Sequence, residues 1–370
     1  MARPTEVITE PEQATVEWLT AVLRDGGHLT RGHVVGVTHT THNAAGMSVV
    51  CLLEVRYSAD TPPAERHSLL LKLARPDRDA AADGFAGLSM AQHYEKEVRF
   101  YTEMALEMPE VPTIRCYDAV YDPTTGKGHL LLEDISRTHY LPPRRYPPPE
   151  PVCEQAIDIL ARLHAHWWKD PRLGTEIGRF PDYTTPGGWV TRATRAVTSF
   201  LAFLGAHLPT ERQRLYGRLL ACLPTYARRR GQGPPTLVHQ DAHWRNFLYP
   251  HEPGSDTARL FDWQSWNAGV PASDLAYMIA LHWSPEPQRE LMERLVRRYH
   301  DGLLQFGVTG YDWRQCWNEY RLAVVGAPFG TASAWANWGS PDDSVSTWLP
   351  RVERAFVLFD ALRCEELLEA

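Results

Sequence analysis

Two short apolar runs in this chain each deliver an aspartate. Leu237-Val238 is followed by Asp241, Leu260-Phe261 by Asp262, and Asn246 lies five positions beyond Asp241. Functional carboxylates commonly sit just past strand ends, where a rigid element holds a loop residue at a cleft. Phosphoryl transfer asks for a carboxylate that orients an attacking hydroxyl and takes its proton, and for oxygen ligands that hold magnesium against nucleotide phosphates. Asp241, Asn246 and Asp262 can supply that set. A cation for the α and β phosphates, paired with an acid on a neighbouring helix, would complete it. Lys72 interrupts the apolar run Leu69-Leu70-Leu71-Lys72-Leu73-Ala74, where an unpaired ammonium is costly. A partner is therefore expected, and Glu97 is the first choice, with Glu95 on the same helical turn as the alternative.

Each of these residues also has a plainer reading. An aspartate at a strand end often serves as a turn-former, and only the combination with Asn246 and Lys72, in this order, favours chemistry. Asp274, after Pro271 and Ser273, reads as a structural cap or loop anchor. His239 reads as support for the loop, because Asp241 already suits the role of base. His239, Asp241 and His243 together resemble a metal-ligand cluster, so a metal-dependent hydrolase is one rival; it leaves Lys72 unexplained. The other rival, a non-catalytic nucleotide-binding protein, predicts a degraded loop. His164 on an apolar helical face reads as a core histidine, and Arg228-Arg229-Arg230 as a charge run favoured at a helix end.

The elements that would position these groups fall into two sets. Runs rich in Val, Leu and Tyr predict strands near His33–Thr38, Met47–Tyr57, Ser68–Ala74, Thr113–Tyr121 and His129–Glu133. Helical spacing predicts a helix over Pro11–Arg24 and another over Met90–Met104, between the third and fourth strands. Asp122–Gly128 has the turn chemistry of a hairpin. The segment Leu141–Pro151, six of whose eleven residues are proline, marks a stiff extended connector. Beyond it helices are expected at 151–169, 189–208, 211–229, 287–306, 313–327 and 345–369, interrupted by short strands at 236–239 and 258–261. The expectation is an α+β chain of two lobes: residues 1–135 with an antiparallel sheet, and residues 136–370, mainly helical.

With 370 residues, the chain exceeds what one core usually serves. Apolar residues at 44% place it among globular proteins, and a net charge of −7 gives no support to nucleic-acid binding. No apolar run reaches membrane-spanning length and the amino terminus lacks a signal-peptide core, so a cytoplasmic protein without nucleic-acid or membrane partners is expected. The six cysteines show no C-x-x-C pair and read as reduced thiols. Of the thirteen tryptophans, Trp244 and Trp266 flank the candidate segments and are expected to border an acceptor pocket.

The pattern H-x-D-x-x-x-x-N at His239, Asp241 and Asn246, then F-D-W-Q at Phe261–Gln264 and G-x-P-x-x-D-L-A at Gly269–Ala276, resembles the aminoglycoside phosphotransferase and choline kinase superfamily. With E-x-x-F-Y at Glu97–Tyr101, the chain is most similar to the ecdysteroid-kinase-like branch. The resemblance, running from about Val34 to Ala280, implies a two-lobed protein-kinase-like fold with ATP, or GTP as the alternative nucleotide, and Mg2+. It implies that Asp241 is the base, that Asn246 and Asp262 hold magnesium, and that Lys72 and Glu97 anchor phosphate. Leu130–Ile135, with Glu133 and Ile135, resembles the inter-lobe hinge that meets adenine. The phosphate-covering loop departs from the pattern: Asn43–Ser48 has a single glycine, leaving amides around Gly46 and the Ser48 hydroxyl for phosphate oxygens. The expected partner is a small hydroxylated molecule, a nucleoside or sugar-bearing antibiotic inactivated by phosphorylation.

Overall fold

The computed structural model describes residues 6–42, 48–75, 89–143, 148–182, 188–281, 289–339 and 343–368. Gly46 lies outside the described residues. By internal contacts the chain divides into two compact units, Met1–Leu141 with Leu248–Ser265, and Pro142–Phe247 with Trp266–Ala370.

The first unit carries a five-stranded antiparallel sheet of β1 (Val34–His42), β2 (Ser48–Tyr57), β3 (Leu69–Ala74), β4 (Cys116–Asp122) and β5 (Lys127–Glu133), in the order β1-β2-β3-β5-β4. Helix α1 (Val16–Asp25) starts where the Thr15 hydroxyl accepts the Trp18 N–H, a side-chain cap for one of the donors a helix start leaves open. It packs Leu19 and Leu23 into one core with Leu53, Leu69, Leu71 and Leu131. Strand side chains alternate between faces: Leu69, Leu71 and Leu73 are buried in that core, and Lys72 projects from the opposite face.

Helix α2 (Met90–Arg99) opens on a capping box in which Ser89 and Gln92 satisfy each other's backbone N–H groups. It runs on through a π-helical turn, Phe100–Met104, into the short α3 (Ala105–Glu107). The hairpin turn between β4 and β5 forms as expected: the Asp122 carboxylate accepts the Thr124 N–H and the Thr125 hydroxyl, and Gly126 takes the positive φ of 68°.

The return of Leu248–Ser265 into the first unit is a tertiary event with no counterpart in the division at 135 read from the sequence. His139 and Tyr140 pair with Pro250 and Tyr249, and the Leu260 N–H reaches the Pro112 carbonyl. Short-range composition marks the proline-rich connector, but it carries no signal for a strand that pairs a hundred residues away.

The second unit is built of α4 (Glu150–His166), α5 (Trp189–Leu204), α6 (Thr210–Arg230), α7 (Ala272–Ala276), α8 (Arg289–Gln305), α9 (Trp313–Val324), α10 (Ala327–Trp338) and α11 (Val345–Ala361). A two-stranded ribbon, Thr236–Val238 against Asn267–Gly269, crosses it. The helix expected over 313–327 stops at Val324, and α10 follows as a separate element. Gly326 and Pro328 punctuate the chain there, and the residues after them carry no charge, with Thr331, Ser333 and Asn337 scattered among small and apolar ones, so helical periodicity does not reveal the element. No described helix is long and apolar enough to cross a membrane.

Candidate active-site residues

In the first unit, the Lys72 ammonium lies 2.8 and 2.6 Å from the two Glu97 oxygens and 2.8 Å from Asp262 Oδ1. The structure therefore selects Glu97, 1% exposed, over Glu95 as the partner. Burial works against the ammonium, but the carboxylates of Asp262 and Glu97 outweigh it and hold Lys72 above the usual lysine range. Asp262 takes a left-handed φ of 65°, a conformation that costs a non-glycine residue about 1–3 kcal/mol and persists only where neighbours enforce it.

Those neighbours come from α2 and the π-helical turn that continues it. His93 Nδ1 lies 3.0 Å from the Gln264 carbonyl, Lys96 Nζ lies 3.5 Å from the Ser265 carbonyl, and Phe100 stacks on Trp263 at a centroid distance of 3.7 Å. Burial, with Arg99 beside it, pulls Lys96 down to about 8. Neither His93 nor Lys96 carries a sequence signal, because each acts on a backbone carbonyl rather than on a recognisable side chain.

In the second unit, the segment after Thr236–Val238 is held by one buried carboxylate. Asp274 Oδ2 accepts the His239 N–H at 2.7 Å, and Oδ1 accepts the Gln240 N–H at 2.9 Å. Gln240 sits at φ 65°, and these two bonds offset the strain. Asp274 is fully buried, with His164 Nε2 at 3.3 Å; His164 Nδ1 meets the Tyr299 hydroxyl at 2.8 Å. Asp274 thus bonds to the backbone of this loop, and His164 is packed in the core beside it. His239 Nδ1 accepts the Asp241 N–H at 3.3 Å, which leaves this imidazole in a supporting position.

Asp241 itself is engaged at both carboxylate oxygens. The Tyr277 hydroxyl donates to Oδ1 at 2.7 Å; Asn246 Nδ2 donates to Oδ2 at 3.1 Å and to the Asp241 carbonyl at 2.8 Å. With its amide nitrogen committed in this way, Asn246 keeps its amide oxygen as the free acceptor of the group. Sequence reading missed Tyr277. The available signal was its spacing from Asp274, three residues on, which places both on one helical face.

Two expectations fare differently. Trp244 and Trp266 are each 1% exposed, so neither indole offers a face to an acceptor: large aromatic side chains gain most by burial, and both serve the core. His243 Nε2 stands 3.9 Å from Asp241 Oδ1, and among the described residues no group of three or more His, Cys, Asp and Glu side chains could hold a metal ion. Ser48, at the start of β2, is 5% exposed. Glu133 ends β5, donating its N–H to the Arg115 carbonyl, and the Ile135 carbonyl accepts the N–H groups of Thr138 and His139.

Structures of known proteins share this fold. A Ralstonia eutropha protein described as a candidate aminoglycoside phosphotransferase superposes with a TM-score of 0.53 at 14% identity, covering 94% of this chain and 98% of its own. A microcompartment-associated aminopropanol kinase gives 0.52 at 15% identity, over 89% and 92%. An aminoglycoside 2'-phosphotransferase solved with GDP gives 0.51 at 10%, over 95% and 98%. No curated protein matches the chain by sequence. The model of the phosphotransferase enzyme family matches residues 62–316, well over half of the chain, a span that includes Lys72, Glu97, Asp241, Asn246, Asp262 and Asp274. The chain belongs to the phosphotransferase enzyme family.

Proposed function

We propose that this phosphotransferase uses ATP and magnesium to phosphorylate a hydroxyl of a small natural product, with Asp241 as the base. The observation that carries this reading is the Lys72 ammonium held between Glu97 and Asp262, a buried cation of the kind that anchors nucleotide phosphates. Asp262 and the free amide oxygen of Asn246 are the hard oxygen donors assigned to magnesium, an ion that selects such ligands and neutralises charge on the phosphates. The acceptor hydroxyl attacks the γ-phosphorus, the bond to the β-phosphate oxygen breaks, ADP leaves, and the hydroxyl proton passes to Asp241. Ser48, Glu133 and Ile135 are assigned to the nucleotide.

The hydrolase reading leaves the Lys72 cluster without a purpose. A non-catalytic binding protein would have no use for the bonds that fix Asp241. The acceptors named for structurally similar proteins, aminopropanol and aminoglycosides, are small hydroxylated compounds. A nucleoside or sugar-bearing antibiotic is the acceptor class proposed here, and resistance the proposed consequence. Incubation with magnesium, ATP and a panel of such compounds should give a product heavier by one phosphoryl group, lost in D241N while nucleotide binding persists. Transfer at the parental rate in D241N would remove Asp241 from the role of base; a panel with no phosphorylated member would remove the acceptor class.

A further inference from the structure

We propose that Tyr277 is a positioning residue for Asp241, fixing the orientation in which this carboxylate meets the acceptor hydroxyl; the proposal rests on Asp241 being the base. Tyr277 follows α7 and opens a π-helical turn, Tyr277–Leu281, a wider winding that recurs at functional sites. Asp274 and Tyr277 are three residues apart and act on the same loop by different means. Asp274 holds its backbone, through the N–H groups of His239 and Gln240. Tyr277 holds its functional side chain, donating to Asp241 Oδ1 at 2.7 Å.

The bond has a definite geometric consequence. A carboxylate at the end of an aspartate turns readily about its last torsion, which is broad and two-fold. Asn246 restrains one oxygen from its own loop, and Tyr277 restrains the other from a separate element. Two donors on the two oxygens set the carboxylate plane, and each oxygen keeps a lone pair for a substrate proton. His243 cannot take this part, since its Nε2 stands 3.9 Å from Oδ1. Tyr277 also stays a donor across the working range: burial, then the charge of Asp241, hold its phenol well above the usual tyrosine range.

Y277F removes the hydroxyl and little else. Because small misplacements of a reacting group cost up to about 100-fold in rate, we expect kcat for MgATP turnover, with water as the acceptor, to fall about 10- to 100-fold while KM for MgATP holds. A thermal-unfolding cycle on Y277F, D241A and the double variant reads the bond without any reaction: Y277F should lower Tm in the parent and lower it less in the D241A background. An unchanged kcat in Y277F, or a loss confined to KM, overturns the positioning role. Additive Tm shifts overturn the bond itself. If the parent protein turns over no MgATP and phosphorylates nothing, the kinase reading falls and takes the positioning role with it, and the cycle still reports whether Tyr277 and Asp241 are joined.

Discussion

Removing Glu97 tests the arrangement in the first unit most severely. In E97Q the Lys72 ammonium loses the negative charge of Glu97 and one of its two acceptor oxygens, at 2.8 and 2.6 Å, and Asp262 Oδ1 at 2.8 Å is the one carboxylate oxygen left to it. The Lys72 side chain is 12% exposed and that of Asp262 26% exposed, so water replaces little of what is lost. Breaking a buried ion pair from one side typically costs about 3–5 kcal/mol. The surviving carboxylate places this case at the low end, about 3 kcal/mol, roughly a hundred-fold or more in the folded-to-unfolded ratio. Urea unfolding followed by tryptophan fluorescence reads it, because Trp263 stacks on Phe100 at the same helix. The second variant sharpens the test: K72M/E97Q removes the stranded cation, and should recover part of the loss. A cost below about 1 kcal/mol in E97Q, against the 3–5 expected of a broken buried pair, would refute the reasoning. So would a double variant that falls by the full sum of the single changes.

Two further outcomes are expected. D274A leaves the His239 and Gln240 N–H groups without their acceptor beside a strained Gln240; at about 1–3 kcal/mol for each buried donor left unpaired, unfolding should shift by several kcal/mol, and faster hydrogen exchange at these two amides would localise the effect. Lys96 loses its proton in the folded state near pH 8, against 10.5 in the free side chain. Between these values the unfolded chain binds the proton that the folded chain has released, so the Lys96 contribution to stability rises with pH. Stability curves of the parent and K96M should therefore separate in the parent's favour from pH 7 to pH 10; parallel curves would contradict the burial of this ammonium.

Much of the local architecture was legible because it depends on short-range rules. The apolar run of β3, the helical spacing of α2 and the Asp-Pro-Thr-Thr-Gly turn each act within a few residues. The order of strands and helix along the chain followed from them, while the order of strands within the sheet did not. Helix α10 escaped because an uncharged segment whose few polar residues are scattered among small and apolar ones has no distinct face to read, and the chain's return at Leu248–Ser265 escaped because strand pairing at long range leaves no local mark.

The candidate residues divide in the same way. The sequence by itself determined that a lysine in an apolar strand needs an acid, and that Asp241, Asn246 and Asp262 stand where phosphoryl transfer would use them; residue type and spacing carry that much, since an unpaired charge in such a strand is costly wherever the strand lies. Only tertiary structure decided between Glu95 and Glu97, drew Asp262 to Lys72, sent Trp244 and Trp266 into the core, and brought the Tyr277 hydroxyl to Asp241. Each of these depends on which way a side chain faces once distant segments have packed, and a direction in space is set by the whole fold rather than by neighbours in the chain.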